Sequence, residues 1–214
     1  MTAPLIKICG LKSAHALDAA VKARADYAGF VFFARSPRNV SLPDAQKLGE
    51  RAEGHIRRVG LFVDADDALL AEATAAAQLD ALQLHGQETP ERAAHLKARF
   101  GLPVWKAVSV SSAQDIAKAG AFAQAADLIL FDAKTPKGAG LPGGMGLSFD
   151  WNLLANARVA LPWGLAGGLT PDNVGHAVRL TGAGLVDTSS GVESAPGVKD
   201  VDRIAAFCHS ARNS

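Results

Sequence analysis

Residues 81–110 read ALQLHGQETPERAAHLKARFGLPVWKAVSV. A short apolar run, ALQLH, is followed by TPERAAHLKARF, whose Thr-Pro start and helical period suit a helix. PVWKAVSV then returns to an extended apolar run. A strand, a helix and a strand in that order call for parallel strands joined by a right-handed crossover.

The same unit repeats in both directions. LIKIC, YAGFVFF and RRVGLFV come before it as strands, and DLILFD, PWGLAGG and GLVDTSS come after. Alanine-rich helical segments separate them. SAHALDAAVKARA has Ser13 as its N-cap, and LPDAQKLGERA carries Pro43 in its first turn. ADDALLAEATAAAQ, SSAQDIAKAGAFA and TPDNVGHAVRLTG follow the same pattern, and KDVDRIAAFCHSAR is the last helix. Between strands six and seven a glycine-rich loop, AKTPKGAGLPGGMGLS, leads into FDWNLLANA. Eight β-then-α units without a linker predict one domain over residues 1–214, a (β/α)8 TIM barrel with its site at the C-terminal face of the strands. A doubly wound open sheet is the alternative, but it gives no reason for eight units.

The composition is that of a globular protein, with 49% hydrophobic residues and 20% charged over 214 residues. The formal net charge is +1, and no basic stripe interrupts the mixture, which argues against a nucleic-acid partner. A local patch for a small anion is still allowed. The two cysteines do not make a disulfide framework, and Cys208, in IAAFCHSAR, reads as a packing residue. MTAPLIKICG lacks the pattern of a secretory signal, and no apolar run reaches the ~18–20 residues of a membrane span. A soluble cytoplasmic protein with no membrane partner is the expectation. No Cys/His cluster has metal spacing, and no dinucleotide or Walker fingerprint occurs, so neither metal nor cofactor is indicated. The partner is then a small-molecule substrate, and the expected state is a monomer.

A barrel concentrates its chemistry where strands end. Those positions carry Cys9, Arg35, Arg38, Asp64, His85, Asp132, Gly167, Gly168, Asp187, Ser189 and Ser190. They are far more polar than the strands before them, though some could merely satisfy loop backbone.

GLAGGLTPDN and VDTSSGVESAPGVKD occupy the seventh and eighth loops, where such barrels often hold a phosphate. Glycines let backbone N–H groups approach the anion, and the Ser189 and Ser190 hydroxyls can donate to the same oxygens. Ordinary turns would use the same residues.

Cys9 ends the first strand. A thiol titrates near 8.5, so a usable fraction is thiolate near neutrality. Cys9 could therefore remove a carbon-bound proton, or it could fill the top core layer. Asp132 ends an apolar strand almost across the mouth, where lost solvation favours a protonated general acid. Arg35 and Arg38 offer guanidinium forks for a carboxylate. Gly138, Gly140, Gly143, Gly144 and Gly146 could form a lid. His85 lines the pocket or packs.

Taken in order, KICGL, GFVFFARSPRNVS, VGLFV, LQLHG, LFDAKTP, GGMGLSFDW, AGGLTPDNV and VDTSSGVESAPGVKD resemble the phosphoribosylanthranilate isomerase family along nearly the whole chain. The resemblance implies an isomerase of tryptophan biosynthesis. Its reaction is an Amadori rearrangement of N-(5-phosphoribosyl)anthranilate that needs no cofactor. It implies Cys9 as general base, Asp132 as general acid and Arg38, rather than Arg35, as the carboxylate ligand. Gly167, Gly168, Ser189, Ser190 and Gly191 become the phosphate site, with Asp187 and His85 in support. Ala166 stands where the family often has serine, and Met145 where a small hydroxyl residue is usual. A related histidine-pathway isomerase would carry an aspartate in place of Cys9. A non-catalytic phosphate-metabolite binder would need neither Cys9 nor Asp132.

Overall fold

A computed structural model describes residues 3–134, 146–155 and 157–214. Eight strands close into a parallel barrel: β1 (Leu5–Cys9), β2 (Tyr27–Phe32), β3 (Arg57–Phe62), β4 (Ala81–Leu84), β5 (Val104–Val110), β6 (Leu128–Ala133), β7 (Trp163–Leu165) and β8 (Leu185–Thr188). β1 pairs with β2 through Lys7↔Tyr27 and with β8 through Lys7↔Asp187, which seals the ring. No edge strand is left in the barrel to attract another chain.

Helices α1 (Ala14–Lys22), α2 (Leu42–Ala52), α3 (Asp67–Ala77), α4 (Pro90–Phe100), α5 (Ala113–Ala117), α6 (Asn152–Ala155), α7 (Val174–Thr181) and α8 (Val201–Arg212) follow the strands in turn. Side-chain oxygens start several of them. Ser13 accepts from Ala16 N, Ser41 from Asp44 N, Thr89 from Arg92 N and Asp200 from Arg203 N. The fifth helix is shorter than its alanine-rich sequence predicts. It gives way to a 3-10 turn at Lys118–Phe122, across Gly120, a residue that weakens a helix interior.

Side chains alternate across a strand, and this places the site. One row points out and packs under the helices, where Ile6, Ile8, Phe30, Phe62 and Phe131 are all fully buried, as is Phe207 on α8. The other row points into the barrel. Its lower layer holds Tyr27, Val59, Ala81, Trp105, Leu130 and Leu185, with Tyr27 and Trp105 edge to face at 4.9 Å. Above it Cys9 packs with Val31 and Leu61. Cys9, His85, Asp132, Asp187 and Ser189 stand one step further up this same inward row or just beyond the strand ends.

After β8 the chain makes a 3-10 turn, Ser190–Val192, and an antiparallel hairpin of β9 (Glu193–Ala195) and β10 (Val198–Lys199). The sequence predicts only a short turn here. Strands of three and two residues are too brief to show an alternating pattern. Among the described residues, no helix is long and apolar enough to cross a membrane.

Candidate active site

A cavity opens at the C-terminal mouth of the barrel. It is lined by Cys9, Arg38, His85, Asp132, Gly167, Gly168, Asp187, Ser189, Ser190 and Gly191, together with apolar Val31, Phe33, Leu61 and Leu169. Residues drawn from seven of the βα units thus converge on one space. Arg35 is not part of the lining. Its guanidinium lies 5.1 Å from the centre of the Phe33 ring. Asp64 is also elsewhere. It adopts φ +48° and accepts from Gln87 N at 2.6 Å, so it braces its own loop. Gly138, Gly140, Gly143, Gly144 and Met145 lie outside the described residues, while Gly146 borders the cavity.

Cys9 is 5% exposed, at the floor of the cavity. Gly29 on the adjacent strand makes room for it: a methyl group there would come within 3.1 Å of Cys9 Sγ. Burial pushes the Cys9 thiol up, Lys7 pulls it back and Asp187 adds to the rise. Burial thus disfavours the thiolate form here relative to an exposed cysteine.

Asp132 is buried and accepts from Ala133 N at 2.8 Å through Oδ1. His85 Nε2 lies 3.1 Å from its Oδ2, short of hydrogen-bond alignment. The other ring nitrogen, Nδ1, is 3.2 Å from the Gln83 amide nitrogen. With that amide as donor, the ring proton sits on Nε2 and faces Asp132. A carboxyl at the mouth, held on one side by backbone and with an imidazole 3.1 Å away on the other, is well placed to exchange a proton with a bound molecule.

The seventh and eighth loops form another wall of the cavity. Gly167 and Gly168 have φ of +83° and +65°, and a Cβ on Gly168 would come 2.9 Å from the Leu147 carbonyl carbon. Thr188 Oγ1 donates to Leu169 O at 2.8 Å and ties the two loops together. Ser190 and Gly191 begin the 3-10 turn, whose first N–H groups have no partner within the turn. Ser189 departs from the sequence expectation. Its hydroxyl donates to Cys9 O at 3.1 Å, so its proton holds the end of β1.

Arg38 is buried and fixed. Its Nε and one Nη donate to the two Glu193 carboxylate oxygens at 2.8 and 2.7 Å. Glu193 also accepts from Lys199 Nζ at 2.8 Å and from Gly197 N at 3.2 Å. Burial opposes the Glu193 charge, but Arg38 and Lys199 outweigh it and hold the carboxyl below its ordinary range. Lys199 continues the chain of contacts to Ser189 O at 2.9 Å. Glu193, Lys199 and Lys7 are site residues that the motif reading passes over. Lys7 had a visible signal, since in LIKIC it stands two residues before Cys9 and must share its face.

Among the described residues, no group of three or more His, Cys, Asp or Glu is placed to hold a metal ion. The arrangement offers an acid, a thiol, a guanidinium and a glycine-rich anion nest around one cavity.

Residues 6–210 match the family model described as N-(5'phosphoribosyl)anthranilate (PRA) isomerase. The N-(5'-phosphoribosyl)anthranilate isomerase of Paramagnetospirillum magneticum is 55% identical over 207 residues, 97% of this chain and 96% of that one. The Paracoccus denitrificans enzyme of the same name is 56% identical, over 94% of each chain. Among solved structures, phosphoribosyl anthranilate isomerase from Thermotoga maritima superposes with a TM-score of 0.89 at 35% identity, covering 99% of this chain and 100% of that one. A structure of the isomerase in complex with reduced 1-(o-carboxyphenylamino)-1-deoxyribulose 5-phosphate superposes with a TM-score of 0.86 at 33% identity, with the same coverage.

Proposed function

The chain belongs to the N-(5'-phosphoribosyl)anthranilate isomerase family, and from that premise we propose how its residues divide the reaction. The protein is an isomerase of tryptophan biosynthesis. It converts N-(5-phosphoribosyl)anthranilate into 1-(2-carboxyphenylamino)-1-deoxyribulose 5-phosphate.

The substrate is an anion at both ends. Its phosphate sits against Gly167, Gly168, Ser190 and Gly191, whose backbone conformations support close approach of N–H groups. Ser189 belongs to this end through its backbone, while its hydroxyl steadies Cys9 O. The anthranilate carboxylate meets Arg38, whose guanidinium plane Glu193 has already oriented. That leaves the ribose between Cys9 and Asp132.

Asp132 protonates the furanose ring oxygen, the C1–O bond breaks and a Schiff base forms. The cationic nitrogen acidifies the hydrogen on C2, and Cys9 as thiolate removes it. The resulting enolamine becomes the ketone. His85 steadies the Asp132 carboxyl and Asp187 the region under Cys9. The observation that carries this reading is the sharing of one cavity by Cys9 and Asp132, between the glycine nest and Arg38. Cys9→Ser and Asp132→Asn test it. Fluorescence-monitored turnover should collapse in both while a substrate-like inhibitor still binds. Unchanged turnover in either variant overturns the assignment of that residue.

Residues 1–214 act as one domain, and the working form is a cytoplasmic monomer. Two unpaired thiols support a reducing compartment. The large exposed apolar side chains among the described residues, Leu5, Leu147 and Val198, lie on separate elements and support a monomer. A light-scattering mass near 22.1 kDa is expected, and twice that mass overturns the monomer.

A further inference from the structure

The acid–base scheme uses Cys9 as a thiolate, yet burial disfavours that form. A cation hidden directly beneath it addresses the difficulty. Lys7 is fully buried inside the barrel, an unusual place for an ammonium group. Its Nζ lies 2.9 Å from Asp187 Oδ2 across the β1–β8 seam. Strand alternation puts it on the same inward face as Cys9. Gly29 brings the two side chains together: a Cβ there would be 3.1 Å from both Cys9 Sγ and Lys7 Cε. Absence of a side chain at position 29 therefore leaves the space in which sulfur and lysine meet.

We propose that Lys7 is a positioning residue for catalysis, a buried cation that stabilises the Cys9 thiolate while Asp187 holds the ammonium in place and limits its effect. This rests on Cys9 being the base. The pair also explains why Asp187, at the end of β8, borders the cavity without facing solvent: it is 6% exposed. The electrostatics agree in sign. Burial works against the Lys7 charge, but Asp187 and Cys9 outweigh it and raise Lys7, so it stays an ammonium at neutral pH. The other charged groups near the sulfur are Lys199 from β10, which also favours the thiolate, and Asp132, His85 and Arg38 around the cavity. Lys199 is engaged with Glu193 and Ser189. Burial and Arg38 hold it below its ordinary range, against the pull of Glu193 and Cys9. Lys7 is the cation whose position is set by Cys9's own strand.

The test titrates the thiol in the substrate-free protein, through the pH dependence of iodoacetamide alkylation in a Cys208→Ala background. Lys7→Met should move the Cys9 titration upward by about 1 to 3 pH units, the range for losing a close opposite charge. The acidic limb of kcat/KM should move with it. Asp187→Asn should move the titration downward, because Lys7 then acts unopposed. Opposite shifts in these directions support the proposal, and the reverse pair overturns it. No shift, or shifts of the same sign, overturn it. If Lys7→Met does not fold, Asp187→Asn decides alone, since only a downward shift agrees. Failure of the underlying base assignment looks different: Cys9→Ser would then retain turnover, whatever the thiol titration does.

Discussion

Arg38 and Glu193 are separated by 155 residues and meet in a two-pronged ion pair whose side chains are almost wholly buried. An arginine held this way presents a fixed plane instead of a wandering side chain, and as the proposed carboxylate ligand it would be ordered before the substrate arrives. Glu193→Gln keeps the shape and removes the charge. KM should rise about tenfold, which corresponds to ~1.4 kcal/mol, while kcat changes by less. Steady-state kinetics check this, and a kcat loss at constant KM would count against the orienting role of Glu193.

Asp132 and His85 lie 3.1 Å apart at the cavity mouth. Removal of Asp132, the proposed acid, should cost kcat most, because proton transfer contributes only in the transition state. Asp132→Asn should lower kcat by about 10² to 10⁴ with little change in KM. His85→Gln leaves the carboxyl in place and should cost much less. A His85 effect equal to that of Asp132 would mean that the imidazole transfers the proton itself.

Gly191 has no room for a side chain. A methyl group there would collide with Leu169 O and crowd Thr188 Oγ1, the contact that joins the loops after β7 and β8. Gly191→Ala should push these loops apart and weaken inorganic phosphate as a competitive inhibitor by about tenfold or more, on the scale of one lost charge-assisted hydrogen bond. Inhibition constants of the variant and the parent give the answer, and equal values would remove Gly191 from the phosphate site.

Acid should act on the fold through Asp115. This carboxylate is clamped by Lys118 at 2.6 Å, Ser111 N at 3.0 Å and the hydroxyls of Ser111 and Ser112. The Lys118 contact leads in holding it well below the usual carboxylate range. The folded form thus binds this proton less readily than the unfolded chain. The stabilisation is complete above the unfolded value of about 3.9 and is lost as pH falls from there toward the lower folded value. Asp115→Asn should flatten the fall of Tm between about pH 4 and pH 2. An unchanged acid limb would assign the fall to other groups.

Local pattern was enough for the barrel. LIKIC and LPDAQKLGERA delimit β1 and α2 to the residue, because apolar alternation and a Ser-Leu-Pro start are short-range signals. The ten residues that the family resemblance implies all line the cavity, whereas Arg35 and Asp64, also read as strand-end candidates, do not. Their supports were not legible. Glu193 stands in a three-residue strand, and its bond to Arg38 leaves no mark within any window of sequence. Lys7 read as an ordinary strand residue, although a lysine flanked by isoleucines already had to point into the barrel or pack beneath the helices. The division of Ser189 between phosphate and Cys9 depends on a hydroxyl direction, which no residue type encodes.

Lys106 and Glu88 extend the same lesson to stability. Lys106 Nζ donates to Glu88 Oε2 at 2.8 Å, Gly86 O at 2.7 Å and Leu84 O at 3.3 Å, with both charged groups nearly excluded from solvent. Glu88 in turn accepts from Asp64 N and Gly86 N, each at 2.9 Å. The pair therefore fastens the backbone on both sides of His85. Lys106→Met leaves a buried carboxylate and two carbonyls without their cation, and should cost about 3–5 kcal/mol. Adding Glu88→Leu removes the stranded charge but also strips two backbone donors of their acceptor. The double variant should regain only part of the loss, because unsatisfied buried N–H groups carry their own penalty of about 1–3 kcal/mol each. Urea denaturation of the two variants and the parent measures both steps. Full recovery in the double variant would mean that the charge pair, and not the backbone it fastens, is all that matters there.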